Sequence, residues 1–192
     1  MRDNSLLSGE RQVHENYKGI EYWHKWRYLQ ALDYVRGKSV LDVGCGCGYG
    51  SLLMSVLASN VIGIDDSQEA IDYAYIHWIK CFINYISIDF LSKEPIPIDV
   101  IIAFEVIEHI EDTNAVFQKF KAFNPEKIII SVPHNSTPIG ANRFHCRHFG
   151  VDEILERFAG IGYKPLRLEM LYFDRDMISK NNLNVFGVME KA

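Results

Sequence analysis

Two periodicities of apolar residues alternate along this chain. Short, nearly continuous apolar runs recur at Ser39–Val43, Val61–Ile64, Ile83–Ile88, Asp99–Ala103 and Lys127–Val132. Runs of that length read as strands buried on both faces. Between them apolar residues repeat at three and four. That spacing predicts helices from Gly48 to about Leu57, from an Asp66 or Ser67 cap to about Ile79, and from about Asp112 to Phe123. With Asp66 as cap, Glu69 would complete an Asp form of the capping box. Ahead of the first strand, about Arg11 to Arg36 reads as a helix dense in aromatics, with Tyr22, Trp26, Leu29 and Tyr34 on one stripe. Residues 133–150 read as loop. A helix at about Asp152–Ala159 and strands at Tyr163–Tyr172 and Leu183–Met189 follow. Strands alternating with helices give an α/β class: a doubly wound, mostly parallel sheet with ligands at the carboxyl ends of its strands. The expected organisation is a single domain over 1–192, with a helical cap or lid at 1–37 and the core at 38–192.

The first strand runs into VLDVGCGCGYGS, with glycines at 44, 46, 48 and 50. Glycine backbone admits a ligand closely because no Cβ intervenes, and the next helix aims its N-terminal amides at the same place. A dinucleotide loop needs G-x-G-x-x-G, but the sixth positions counted from Gly44, Gly46 and Gly48 are Tyr49, Ser51 and Leu53. Asp42 stands two residues before Gly44. A carboxylate there repels a pyrophosphate and suits a ligand that carries an ammonium and a sulfonium. Asp65, followed by Asp66, ends the second strand 21 residues after Gly44. It can accept from both hydroxyls of a ribose. Asp89 ends the third strand and can accept from an exocyclic adenine amine, with the Phe90 backbone beside the ring nitrogen. Each acid alone is an ordinary turn former or helix cap; three at successive strand ends beside one glycine loop point to adenosine.

Composition narrows the setting. The 192 residues, 48% hydrophobic and 23% charged, are enough for one well-buried core. No apolar run approaches the roughly 18 residues of a membrane span, and the first dozen residues carry no signal core. Four cysteines, two inside the glycine loop, suggest reduced thiols and a cytoplasmic setting. A net charge of −5 with scattered lysines and arginines argues against an extended nucleic-acid track. A local contact with a nucleic-acid end stays open. The partner expected is a small-molecule acceptor.

After the fourth strand comes Phe104-Glu-Val-Ile-Glu-His109, with Phe104 bordering the expected ligand. If this turn is helical, Glu105, Glu108 and His109 share a face. His109 is then a candidate base that Glu105 or Glu108 orients; the alternative is a simple helix cap. His134, His145 and His148 share the following loop and form a candidate polar wall for substrate, joined by Tyr22, His24 or Trp26 from the N-terminal helix.

The glycine motif, Asp65, Asp89 and EVIEHIED at 105–112 together resemble a class I S-adenosylmethionine-dependent methyltransferase. The resemblance implies a Rossmann-like seven-stranded sheet of order 3-2-1-4-5-7-6 with the last strand antiparallel, and S-adenosyl-L-methionine as cofactor. Gly9-Glu10-Arg11, WRYLQALDYVRGKSVLDVGCG and NRFHCRHF at 142–149 are similar to small bacterial methyltransferases of sugars and polysaccharides, which typically have Glu where His148 stands and Pro where Arg143 stands. The function implied is methyl transfer to oxygen or nitrogen of a small polar, sugar-like acceptor. Two alternatives accompany it. Glu105, Glu108, His109 and His145 resemble the metal site of the small-RNA 3′-terminal ribose 2′-O-methyltransferases, although EVIEH also recurs without metal. The other alternative is a non-catalytic S-adenosylmethionine-binding module.

Overall fold

The computed structural model describes residues 6, 11–138, 142–172 and 183–192. Seven strands form one sheet in the order β3-β2-β1-β4-β5-β7-β6. The chain divides into two compact units, Met1–Ile102 and Ala103–Ala192. Among the described residues no helix is long and apolar enough to cross a membrane.

The first unit runs α1 (Tyr22–Val35), β1 (Ser39–Val43), α2 (Tyr49–Met54), β2 (Asn60–Asp65), α3 (Gln68–His77) and β3 (Ile83–Ser87). β1 pairs with β2 and β2 with β3, both parallel, with Val43 opposite Ile64 and Asp65 opposite Ser87. This register ends β1 and β2 together, so the glycine loop and Asp65 emerge side by side. Gly63 sits opposite Asp42 in the ladder. A Cβ on Gly63 would lie 2.8 Å from the Tyr85 ring and 2.9 Å from Ser51 Oγ, so only glycine lets those side chains cross the strand.

Two helix boundaries and one helix face depart from the sequence reading, and the open choice of cap for α3 is resolved. The helix expected from Arg11 begins only at Tyr22. Residues 11–20 are irregular instead: Asn16 Oδ1 accepts from Lys18 N–H in a local turn, and Tyr17 donates its hydroxyl to Tyr49 O at 2.8 Å. The buried face of α1 is Arg27, Tyr28, Ala31 and Val35, while Tyr22 is 60% and Leu29 46% exposed. The expected stripe was chosen by residue type. Aromatic rings tolerate the surface, and small Ala31 lets the helix approach closely. α2 stops at Met54 rather than Leu57, where Ser55 Oγ donates back to Leu52 O at 2.7 Å. Ser67, not Asp66, caps α3 through Ala70 N–H, because Asp66 is held by Arg11; the Asp66–Glu69 capping box does not form.

The second unit holds the end of β4 (Val100–Phe104), α4 (Thr113–Phe123), β5 (Lys127–Pro133), α5 (Val151–Gly160), β6 (Tyr163–Tyr172) and β7 (Leu183–Lys191). β7 runs antiparallel to both β5 and β6, as the resemblance implied. Asp112 caps α4 by accepting from Ala115 N–H at 2.9 Å. Phe117 and Phe120 of α4 meet Phe158 of α5 with ring centroids 5.0 and 6.3 Å apart. Ile128, Ile129 and Ile130 of β5 and Val185, Phe186 and Val188 of β7 are fully buried. This apolar body holds rigid the strand ends from which the chemistry-bearing loops leave.

Candidate active site

In the first unit, the glycine loop is a tight turn with Gly44, Gly46 and Gly48 at φ +66°, +53° and +91°. Side chains rarely adopt those angles. Gly48 N–H donates to Cys45 O at 3.0 Å, and Gly46 N–H donates to Asp65 Oδ2 at 2.9 Å. The loop therefore tethers itself to the end of β2. Asp65 Oδ1 accepts from Ser67 N–H at 3.0 Å and from Arg11 Nη2 at 2.9 Å. Asp65 is 7% exposed and ends its strand beside bare glycine backbone.

Asp42 is fully buried. It accepts from Ser51 Oγ at 2.6 Å and from the Tyr28 hydroxyl at 3.1 Å. Burial pushes its carboxyl up to about 7, and the two hydroxyl bonds pull the other way. In this unit Asp42 clamps α1 and α2 onto β1, so it shapes the loop from beneath. Asp66 and Asp89 are exposed. Asp89 Oδ1 accepts from Leu91 N–H at 2.7 Å and from Ser92 N–H at 3.2 Å, capping a short 3-10 turn that begins at buried Phe90. Tyr22 lies at the surface; His24 and Trp26 are half-buried.

In the second unit, Glu105 has φ +55°. A branchless acid in the left-handed region is uncommon and marks a constrained corner. Its N–H donates to Ser131 O at 2.9 Å, and its carboxylate accepts from Ser131 Oγ at 2.8 Å. The turn that follows is a 3-10 helix over Ile107–His109, so Glu105 stands outside the helical face expected for it. Glu108 is fully buried, and its carbonyl accepts from Cys146 N–H at 2.8 Å. Phe104 is 8% exposed and packs near Phe186.

Hydrogen bonding fixes the histidine tautomers. His109 Nδ1 lies 3.0 Å from Phe144 O, so Nδ1 carries the proton and Nε2 is the basic nitrogen of the neutral ring. This carbonyl holds the Nδ1 side of the ring. His148, 7% exposed, donates from Nδ1 to Thr137 O at 2.8 Å. Its Nε2 then accepts from His145 Nδ1–H at 2.8 Å. That leaves His145 Nε2 to accept from Asn142 Nδ2 at 2.8 Å, the amide being fixed by Phe144 N–H on Oδ1. Burial, then the neighbouring His109 and His148, push His145 down to about 4, so it is neutral near pH 7. His145 and His148 thus join His109 in one cluster, whereas His134 Nδ1 is engaged by Ser136. One ligand atom from each of Glu108, His109 and His145 falls within 4.8 Å of the others; Glu105 is not in that group.

Arg11, Tyr28, Ser51 and Asn142 are parts of these arrangements that residue type alone did not single out. Only the nine-residue spacing from Asp42 to Ser51, strand end to first helical turn, offered a signal.

These features fit an adenosyl ligand: a left-handed, exposed Gly44, a carboxylate at the end of β2, and a backbone-bonded loop between them. A methyltransferase domain family model matches residues 35–154. The chain is 28% identical to a Mycolicibacterium smegmatis protein named "Probable S-adenosylmethionine-dependent methyltransferase", over 84% of this chain and 68% of the relative. It is 34% identical to a ubiquinone biosynthesis O-methyltransferase of Paraburkholderia phymatum, over 50% of this chain and 43% of that one. Among solved structures, the magnesium protoporphyrin IX methyltransferase of Synechocystis, with bound S-adenosylhomocysteine, superposes with a TM-score of 0.75 at 16% identity, covering 96% of this chain and 90% of the other. The match to the family model covers more than half of the chain, and the strand order is the one expected of the fold. The chain belongs to the methyltransferase domain family, as a class I S-adenosylmethionine-dependent methyltransferase.

Proposed function

We propose that this enzyme methylates an oxygen, or a nitrogen, of a small polar acceptor of sugar-like chemistry. The observation that carries the reading is the orientation of His109: Phe144 O holds its Nδ1–H, so Nε2 is the basic nitrogen of the neutral ring. The O-methyltransferase named among the relatives supports an oxygen acceptor. On this reading Asp65, with Asp66, takes the ribose of the cofactor, the glycine loop with Asp42 beneath it takes the methionine end, and Asp89 and Phe90 flank the adenine. Phe104 borders the same ligand. When bound, the cofactor would supply a methyl activated on a sulfonium, with the neutral thioether S-adenosylhomocysteine as leaving group. What the chain contributes is orientation and, for a hydroxyl acceptor, removal of its proton. Neutral His145 with Asn142 offers a polar wall that adds no charge; Glu105 and Glu108 hold the turn that carries His109. Tyr22, His24, Trp26, His134 and His148 are assigned to the acceptor side with them. The whole chain then works as one methyltransferase domain, a reading supported by the single strand order that runs through both units. The four free cysteines suit a reducing cytoplasm.

A second reading is favoured by one observation, the convergence of Glu108, His109 and His145 ligand atoms within 4.8 Å. A carboxylate and two imidazoles would suit a divalent ion that activates a ribose hydroxyl at an RNA end, with His145 Nε2 exchanging its bond from Asn142 for the ion. One experiment separates the readings. A panel of sugars, phenols, amines and RNA 3′ ends is screened with methyl-labelled cofactor, with and without EDTA. Label on a small acceptor that survives EDTA, and that His109→Asn lowers by about 100-fold or more, supports the base reading. Label only on RNA, lost on chelation, supports the metal reading. Unchanged turnover in His109→Asn removes His109 from either role.

A further inference from the structure

Residues 11–20 do not extend the N-terminal helix; they lie as a strap on the glycine loop of their own unit. Three separate contacts hold the strap. The Tyr17 hydroxyl donates to Tyr49 O at 2.8 Å, and burial pushes that phenol up to about 12, so it stays a donor. The Tyr17 ring meets buried Trp78 edge-on at 4.9 Å. At the other end Arg11 Nη2 pairs with Asp65 Oδ1 at 2.9 Å and with Asp66 Oδ1 at 3.3 Å. The Arg11 side chain is only 10% exposed. Its Cγ lies 3.9 Å from where a Cβ on Gly46 would stand, so its aliphatic stem covers the bare backbone of the loop in ordinary contact.

The distribution of donors on Asp65 is uneven. Oδ1 receives both Ser67 N–H and Arg11, and Oδ2 receives Gly46 N–H. An ionised carboxylate offers about four lone-pair sites. With Oδ1 filled, the acceptor capacity left lies on Oδ2, beside the loop. Charge-assisted bonds on one oxygen fix the plane of the group. A carboxylate prepared in this way binds a hydroxyl donor without first losing rotational freedom.

We propose that Arg11 is a positioning residue of the cofactor site: it fixes Asp65 so that Oδ2 receives a ribose hydroxyl, and the 11–20 strap is thereby part of that site. This rests on the assignment of Asp65 to the ribose made above. It also changes the stoichiometry expected from sequence, because Asp65 then receives one ribose hydroxyl rather than two.

The test is calorimetric titration of S-adenosylhomocysteine into the wild-type chain and into Arg11→Met, Arg11→Lys, Asp65→Asn and the Arg11→Met/Asp65→Asn double variant, with melting curves for each. Arg11→Met should weaken binding about tenfold while Arg11→Lys recovers part of the loss, and the double variant should bind no more weakly than Asp65→Asn alone, as expected of two residues acting as a unit. Wild-type or tighter binding by Arg11→Met, with Asp65→Asn impaired, overturns the role of Arg11 and leaves the ribose assignment standing. Full, additive losses in the double variant also overturn it, since Arg11 would then act apart from Asp65. Asp65→Asn binding as tightly as wild type overturns the ribose assignment itself, and this inference with it.

Discussion

One buried and one half-buried ionisable residue, Asp42 and His145, pull the stability of this chain in opposite directions with pH. Folding raises Asp42 from 3.8 to about 7, so between those values the folded chain keeps a proton that the unfolded chain releases. Its contribution is therefore complete below about pH 4 and is lost as pH rises through about 7. Folding lowers His145 from 6.5 to about 4, so its contribution is present above about pH 6.5 and is lost as pH falls through about 4. The two slopes oppose one another over the same window, and each variant should unmask the other. In urea titrations, Asp42→Asn should show stability rising more steeply with pH than wild type does, and His145→Gln the reverse. Curves parallel to wild type in both variants would show that neither group titrates as its surroundings indicate. Asp42 also shows how a motif acid earns its place structurally. With Ser51 and Tyr28 on its oxygens, it ties the first turn of α2 and the middle of α1 to the strand that carries the loop.

At the scale of elements, caps and close approaches decide where helices begin. Ser67 Oγ accepts from Ala70 N–H at 3.3 Å, and Ser67→Ala should cost about 1 kcal/mol of stability by urea titration. Gly48 is a harder constraint, because it combines φ +91° with a Cβ position 2.6 Å from Ala74 Cβ and 2.8 Å from the Tyr85 hydroxyl. Neither neighbour is the end of a flexible chain: Ala74 is fixed in α3, and the Tyr85 hydroxyl, with one proton to share, lies 3.0 Å from both Gly48 O and Trp78 O. Gly48→Ala should therefore lower the melting temperature well beyond Ser67→Ala; an equal or smaller drop would mean that α3 shifts freely. Glycine at 48 serves packing between loop and α3, whereas Gly44 is exposed.

For the molecule as a whole, methyl transfer needs a cofactor bound to the folded chain and not to the unfolded one. S-Adenosylhomocysteine at a hundred times its dissociation constant should add about 2.7 kcal/mol to the unfolding free energy and raise the melting temperature accordingly. Failure of any shift at that excess would contradict cofactor binding by this chain. In the second unit, His109, His145, His148 and Asn142 form a network anchored on three backbone groups, the carbonyls of Phe144 and Thr137 and the Phe144 amide.

The sequence by itself determined what depends on local pattern and short spacing: seven strands within a residue or two, the glycine turn, and the acids at the strand ends. Buried strands need continuous apolar runs, and a left-handed turn needs glycine, so both are written in order along the chain. Tertiary structure alone decided which atoms those residues present. Arg11 reaches Asp65 across 54 positions, and His109 is oriented by Phe144 across 35. No periodicity encodes such contacts, because they depend on how loops return to the strand ends. The same reason explains the missed N-terminus: aromatic content suggested a helix from Arg11, but the contacts of Arg11 and Tyr17 with the glycine loop hold residues 11–20 as a strap. Gly9 and Glu10, quoted with Arg11 in the family resemblance, lie outside the described residues. Local chemistry wrote the glycine turn, and long-range contacts from Arg11 and Phe144 set the partners of Asp65 and His109.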